Sequence, residues 1–110
     1  IKAPNRSLGV LQDVHWSMGA IGYFPTYTLG NLYAAQLLEA AREDLPDHDG
    51  QIRSGQFENL LGWMRENVHN RGSVLKPADL IEEATGTAPS PDAFVRYLTS
   101  KVERLYGVSA

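Results

Sequence analysis

Apolar residues recur at three- and four-residue intervals along most of this chain, the period of one helix face. Over 26–45, Leu29, Leu32, Tyr33, Gln36, Leu37 and Ala40 share one side. The spacing predicts a long helix, capped by Thr26 and stopped by Pro46. Asp47-His48-Asp49-Gly50 then reads as a polar turn. A further helix is expected from about Gln56 to Val68, with Phe57, Leu60, Leu61, Met64 and Val68 as its buried stripe and Asn70 and Gly72 as its stop. Pro77 suits a first helical position, so a short helix runs over 77–85 and closes at Gly86. Ser90 is a good cap for the last helix, lined by Val95, Leu98, Val102 and Leu105 and ended by Gly107. Upstream, a short helix over 8–16 ends near Trp16, and Gly19, Gly22 and Pro25 make 17–25 irregular. No stretch alternates like a strand and nothing repeats. The expected fold class is all-α: a helical array, a single helical segment over 1–110.

Composition narrows the class. The 110 residues suffice for one small domain, and an apolar share of 43% can form a core. A net charge of -3 argues against a phosphate-binding surface, so no nucleic-acid partner is expected. The absence of cysteine excludes a disulfide framework and a thiolate metal site, and fits a cytoplasmic protein. No apolar run reaches the roughly 18–20 residues of a membrane helix. The opening Ile1-Lys2-Ala3-Pro4-Asn5-Arg6 lacks the apolar region of a signal peptide. A chain opening at Ile1 reads as a piece of something longer.

Chemistry concentrates between Gly9 and Tyr27. His15 is a candidate general base, donor to a developing oxyanion, or metal ligand. Tyr23 and Tyr27 offer phenols that can donate to a negative oxygen, and the loop carrying Gly22 and Pro25 can aim both rings. The competing reading is packing: a histidine beside a tryptophan is commonly a satisfied structural residue, and tyrosines commonly fill helix interfaces. Asp13, His15 and Ser17 do not make a nucleophilic triad. Residues two apart on a helix do not face each other, and no nucleophile-elbow pattern surrounds Ser17. Asp13 is expected to cap a helix or bind an arginine, and Gln12 to support the site with a hydrogen bond.

Two other stretches mimic metal sites. Glu66-Asn67-Val68-His69 has the spacing of the end of an H-E-x-x-H zinc helix, but Arg65 stands where the first histidine should be. A solvated face is the better reading. Asp47-His48-Asp49 reads as an acidic turn rather than a cation site. Arg96, Lys101 and Arg104 read as a wet face of the last helix.

Gly9, Gln12, Asp13, His15 and Trp16 form the pattern G-x-x-Q-D-x-H-W. On that pattern the chain resembles the carboxy-terminal part of the Taq-type zinc metallocarboxypeptidases. Ser17 through Asn31 also look like that family, as do Leu61-Gly62-Trp63-Met64-Arg65-Glu66, Ala84-Thr85-Gly86 and Leu105-Tyr106-Gly107, in the same order. The resemblance covers roughly 5–107 and implies a fragment of a mostly helical, gluzincin-like peptidase that releases C-terminal residues from peptides.

By that resemblance His15 and one of Tyr23 or Tyr27 are catalytic, stabilising the tetrahedral intermediate, while Gln12, Asp13 and Trp16 bind substrate or support it. The family's zinc helix, its third ligand and its I-R-x-x-A-D segment have no match here; Ile52-Arg53 is followed by Ser54-Gly55. The zinc is therefore expected in the full-length parent, with none bound by this segment, and the isolated segment is expected to be inactive. The implied partners are the C-terminus of a peptide substrate, the remainder of the parent chain and, for the parent, a second copy in a homodimer; no membrane is implied. The rival reading is a helical protein-interaction module without catalysis.

Overall fold

The computed structural model describes residues 2–108, and among them there is no strand. A 3-10 turn at Val10–Gln12 precedes α1 (Val14–Ser17). The long α2 (Pro25–Asp44) is followed by α3 (His48–Arg53), α4 (Glu58–Asn67), a 3-10 turn at His69–Arg71, α5 (Pro77–Thr85) and α6 (Asp92–Tyr106). The all-α expectation holds.

The element ends follow local chemistry. Pro25 and Pro77 open α2 and α5, where a missing N–H would lack a partner in any case. Gly86 and Gly107 close α5 and α6 in the left-handed conformation. Ser90 Oγ accepts the Asp92 N–H at 3.1 Å, the capping bond expected of it.

Several boundaries differ from the sequence expectation. Thr26 is not the cap of α2; it lies inside the first turn and donates to the Tyr23 carbonyl at 2.6 Å. The expected helix over 8–16 is split at Asp13, which is extended (φ -86, ψ 110) and caps α1. Its carboxylate competes with the helix for backbone N–H groups. The expected polar turn at 47–50 is instead the start of α3. Asp47 adopts φ 54, which aspartate tolerates, and the chain reverses so that α3 packs back on α2 with His48 buried.

α2 is the axle of the array. α6, α5 and α3 all pack against it. Its buried Gln36 fastens the others: Nε2 reaches Thr87 Oγ1 at 2.8 Å, the Thr87 carbonyl at 3.0 Å and Thr85 Oγ1 at 3.1 Å, while Oε1 accepts the Ser90 N–H at 3.2 Å. One amide thus ties the α5–α6 connection to the middle of α2.

Among the described residues the buried apolar core is small: Ala41, Trp63, Ile81 and Ala93. The stripe expected to bury α4 is half open, with Phe57 and Leu61 exposed, and Trp63 is the buried residue instead. Val95, Leu98, Val102 and Leu105 do form a row on α6, but that row is exposed. The radius of gyration is 18.0 Å, against roughly 13 Å for a compact chain of this length. The accessible surface is 8521 Å², against roughly 6,000 Å² for a compact monomer of this mass. The array is open and leaves apolar faces uncovered.

Candidate functional site

α1 and the start of α2 build the site between them. α1 ends in a Schellman motif: Gly19, at φ 73, donates to the Trp16 carbonyl at 3.2 Å, and Ala20 donates to the His15 carbonyl at 2.9 Å. That motif reverses the chain. A second left-handed glycine, Gly22 at φ 80, then brings Tyr23 and Phe24 back over α1. Pro25 starts α2 at once, which places Tyr27 on its first turn.

His15 is the centre. Its Nδ1 lies 2.7 Å from Asp13 Oδ1, and its Nε2 lies 2.7 Å from the Tyr27 hydroxyl. The Tyr23 ring stacks on the imidazole at 5.6 Å and 20°, and the Tyr27 ring meets it edge-on at 5.6 Å and 89°. Tyr23 and Tyr27 meet each other at 5.3 Å and 86°. Phe24, which the sequence reading did not single out, has its ring nearest to the imidazole of the three, at 4.9 Å. The signal available for it was its place between Tyr23 and Pro25, in the loop that Gly22 folds over His15.

Asp13 and His15 therefore touch, although residues two apart on a helix do not. Asp13 stands just outside α1 in an extended conformation, and from there its side chain turns back along the helix. The same Oδ1 accepts the His15 backbone N–H at 2.9 Å, so one oxygen serves both the helix end and the imidazole. The Asp13 carboxyl is held below the usual carboxylate range, first by that backbone N–H and then by the His15 side chain, with partial burial opposing.

The remaining expected residues are placed differently. Gln12 donates through Nε2 to the Ser7 carbonyl and is exposed, so its amide is tied to its own turn and does not meet His15. Trp16 is exposed and touches the cluster through Phe24, at 6.1 Å and 40°. Tyr23 and Tyr27 are each about half exposed, at 47% and 50%, so the cluster lies on an open rim. Ser17 donates back to the Val14 carbonyl and takes no part.

Among the described residues no three histidine, aspartate or glutamate side chains converge as a metal would require. His15 brings one carboxylate and two phenols around it, which is a hydrogen-bonding set and not a zinc ligand set. A separate cleft of about 410 Å³ lies between α2 and α6, lined by Arg42, Arg96, Lys101 and Arg104 beside Glu39 and Asp49. None of the His15 cluster lines it.

The sequence profile of the carboxypeptidase Taq (M32) metallopeptidases matches residues 1–102. Thermostable carboxypeptidase 1 of Thermus thermophilus is 48% identical over 99 residues, which is 90% of this chain and 19% of that protein. Carboxypeptidase 1 of Bacillus subtilis is 45% identical over 98 residues, 89% of this chain and 20% of that protein. The crystal structure of an M32 carboxypeptidase from Deinococcus radiodurans superposes with a TM-score of 0.86 at 42% identity, covering 98% of this chain and 22% of that one. A helical array with this signature segment thus belongs to the carboxypeptidase Taq (M32) metallopeptidase family. The chain spans about a fifth of the length of the curated relatives it matches.

Proposed function

We propose that this chain is the carboxy-terminal part of a zinc metallocarboxypeptidase that releases C-terminal residues from peptides, and that α1 and the start of α2 form one wall of its substrate groove. The observation that carries the reading is His15, held at both ring nitrogens on an open rim and packed by aromatic rings. A tyrosine donates the hydrogen bond to the oxyanion that forms as the terminal peptide bond is attacked, and His15, with both ring nitrogens already engaged, holds that tyrosine in place. One such donor is worth about 3–4 kcal/mol, or roughly 10²–10³ in rate. The zinc and its ligands belong to residues outside 2–108, so 1–110 acts as one helical segment of a larger catalytic domain and does not hydrolyse peptides alone.

The decisive experiment is His15→Ala in the full-length enzyme. The reading expects kcat to fall by about 10²–10³ with zinc content unchanged. An unchanged kcat removes His15 from the mechanism. Zinc-dependent release of a terminal amino acid by residues 1–110 alone overturns the assignment of the metal to other residues.

The exposed row Val95, Leu98, Val102 and Leu105 on α6 is what favours the rival reading, a helical interaction module without catalysis. In the leading reading the rest of the parent chain covers that row. Sequencing the gene upstream of Ile1 separates them: an H-E-x-x-H segment in frame supports the enzyme. A cytoplasmic homodimer is the proposed state of the parent.

A further inference from the structure

We propose that Asp13 is a positioning residue that fixes the tautomer of His15 and, through it, makes the hydroxyl of Tyr27 a proton-responsive group, with Tyr23 serving as a ring platform only. Asp13 Oδ1 meets both the backbone N–H and the Nδ1 of His15. An ionised carboxylate only accepts hydrogen bonds. At 2.7 Å from Nδ1 it therefore requires a hydrogen on Nδ1, and the backbone N–H on the same oxygen favours the ionised form.

With Nδ1 protonated, a neutral imidazole has a bare Nε2. The Tyr27 hydroxyl, 2.7 Å away, must then donate to it. In that state the outward face of the Tyr27 oxygen carries lone pairs and accepts from an N–H. When His15 takes up a proton, Nε2 becomes the donor and the Tyr27 hydrogen is released outward, towards an anionic oxygen. The tilt of the hydroxyl is thus set by one proton on the neighbouring ring. Tyr23 stacks on the same ring but neither ring nitrogen is bonded to its hydroxyl. The titratable groups that face the imidazole are Asp13, Tyr23 and Tyr27; Phe24 supplies an apolar side. The consequence for catalysis rests on the reading given above, since it makes the donor to an oxyanion or terminal carboxylate available with uptake of one proton. The tautomer itself does not rest on that reading.

The test is the two-bond proton–nitrogen spectrum of the imidazoles in the ¹⁵N-labelled protein from pH 6 to 9, with His15 assigned by its loss in His15→Gln. At the alkaline end His15 is expected as the Nδ1–H form, with Nε2 unprotonated. Asp13→Ser keeps a capping oxygen but is too short to reach the ring; the hydrogen is expected to move to Nε2. Tyr27→Phe is expected to shift the Nε2 signal, and Tyr23→Phe to leave it in place. An Nε2–H form in the native protein, or an Nδ1–H form that survives Asp13→Ser, overturns the proposal. Should Asp13→Ser fail to fold, the native tautomer and the two tyrosine variants decide it alone. None of these readouts needs turnover, so loss of the carboxypeptidase reading and loss of this one are separate results.

Discussion

The Nε2 of His15 and the hydroxyl of Tyr27 lie 2.7 Å apart, although one belongs to a single-turn helix and the other to the first turn of a long one. The pair gives the two tyrosines different expected roles. In the full-length enzyme, Tyr27→Phe is expected to lower kcat about 10²-fold with little change in KM, as for a donor used in the transition state. Tyr23→Phe keeps the stacked ring and is expected to stay within a few-fold of the native rate. Steady-state kinetics on a short peptide separates them; equal losses at both positions would reject the distinction.

Gln36 predicts a stability effect. Its amide is buried and bonds to the chain on both sides of the α5–α6 connection. Gln36→Leu retains much of the volume and removes every one of those bonds. The backbone N–H of Ser90 and the Thr87 carbonyl lose a partner, at a cost of about 1–3 kcal/mol. Urea unfolding should show a lower midpoint at an unchanged slope. A midpoint equal to the native one would mean that packing, not the amide, holds α5 and α6 to α2.

Much of this fold is written in short-range signals. Pro77, Gly86 and Gly107 mark ends because their backbone limits act within a turn, and these three were readable, whereas Pro25, which opens α2, was read as part of the irregular stretch before Thr26. The long-range part was not. The row Val95, Leu98, Val102 and Leu105 has the helical period of a buried face, yet period alone does not say what covers it, and here it is exposed. Trp63 was read only as part of a family match, because it lies off the expected apolar stripe of α4 and its hydrogen-bond partner, Asp44, comes from another helix. At the site, His15 and the tyrosines stood out by residue type. Their joining depended on Asp13 leaving the helix and on two left-handed glycines, and spacing rules for a continuous helix could not supply that. Gln12, chosen for its place in the signature, bonds to its own turn.

Three carboxylates give the acid limb of stability. Asp13 is held low by the His15 backbone N–H, Asp49 by the His48 ring and then Arg42, and Glu39 by the Arg96 guanidinium. A carboxyl lowered in the folded state contributes fully above its unfolded value and loses that contribution as the pH falls through the lower folded value. The unfolded values are 3.8 for the aspartates and 4.5 for the glutamate. Stability should therefore be flat with respect to these groups near neutrality and fall below about pH 4. Asp13→Ser removes one of the three, so its deficit relative to the native chain should narrow as the pH drops. Denaturation midpoints between pH 2 and 7 check this, and a deficit that widens in acid would contradict it.

Trp63 combines packing with a bond to a charge, and two substitutions separate them. Its ring is buried, and Nε1 donates to Asp44 Oδ2 at 2.7 Å, which joins α4 to the end of α2. Asp44 is exposed, so its carboxylate regains water when the indole is removed. Trp63→Phe is expected to cost about 1.5–3 kcal/mol, the range for a hydrogen bond to a charged group. Trp63→Ala also empties the site, and truncations of this kind cost about 3–5 kcal/mol. In a chain with so few buried apolar residues that loss should detach α4, visible as faster amide exchange over Glu58–Asn67 while α2 stays protected. If Phe proves as damaging as Ala, the bond to Asp44 outweighs the packing of the ring, and α4 is held to α2 through one charged contact.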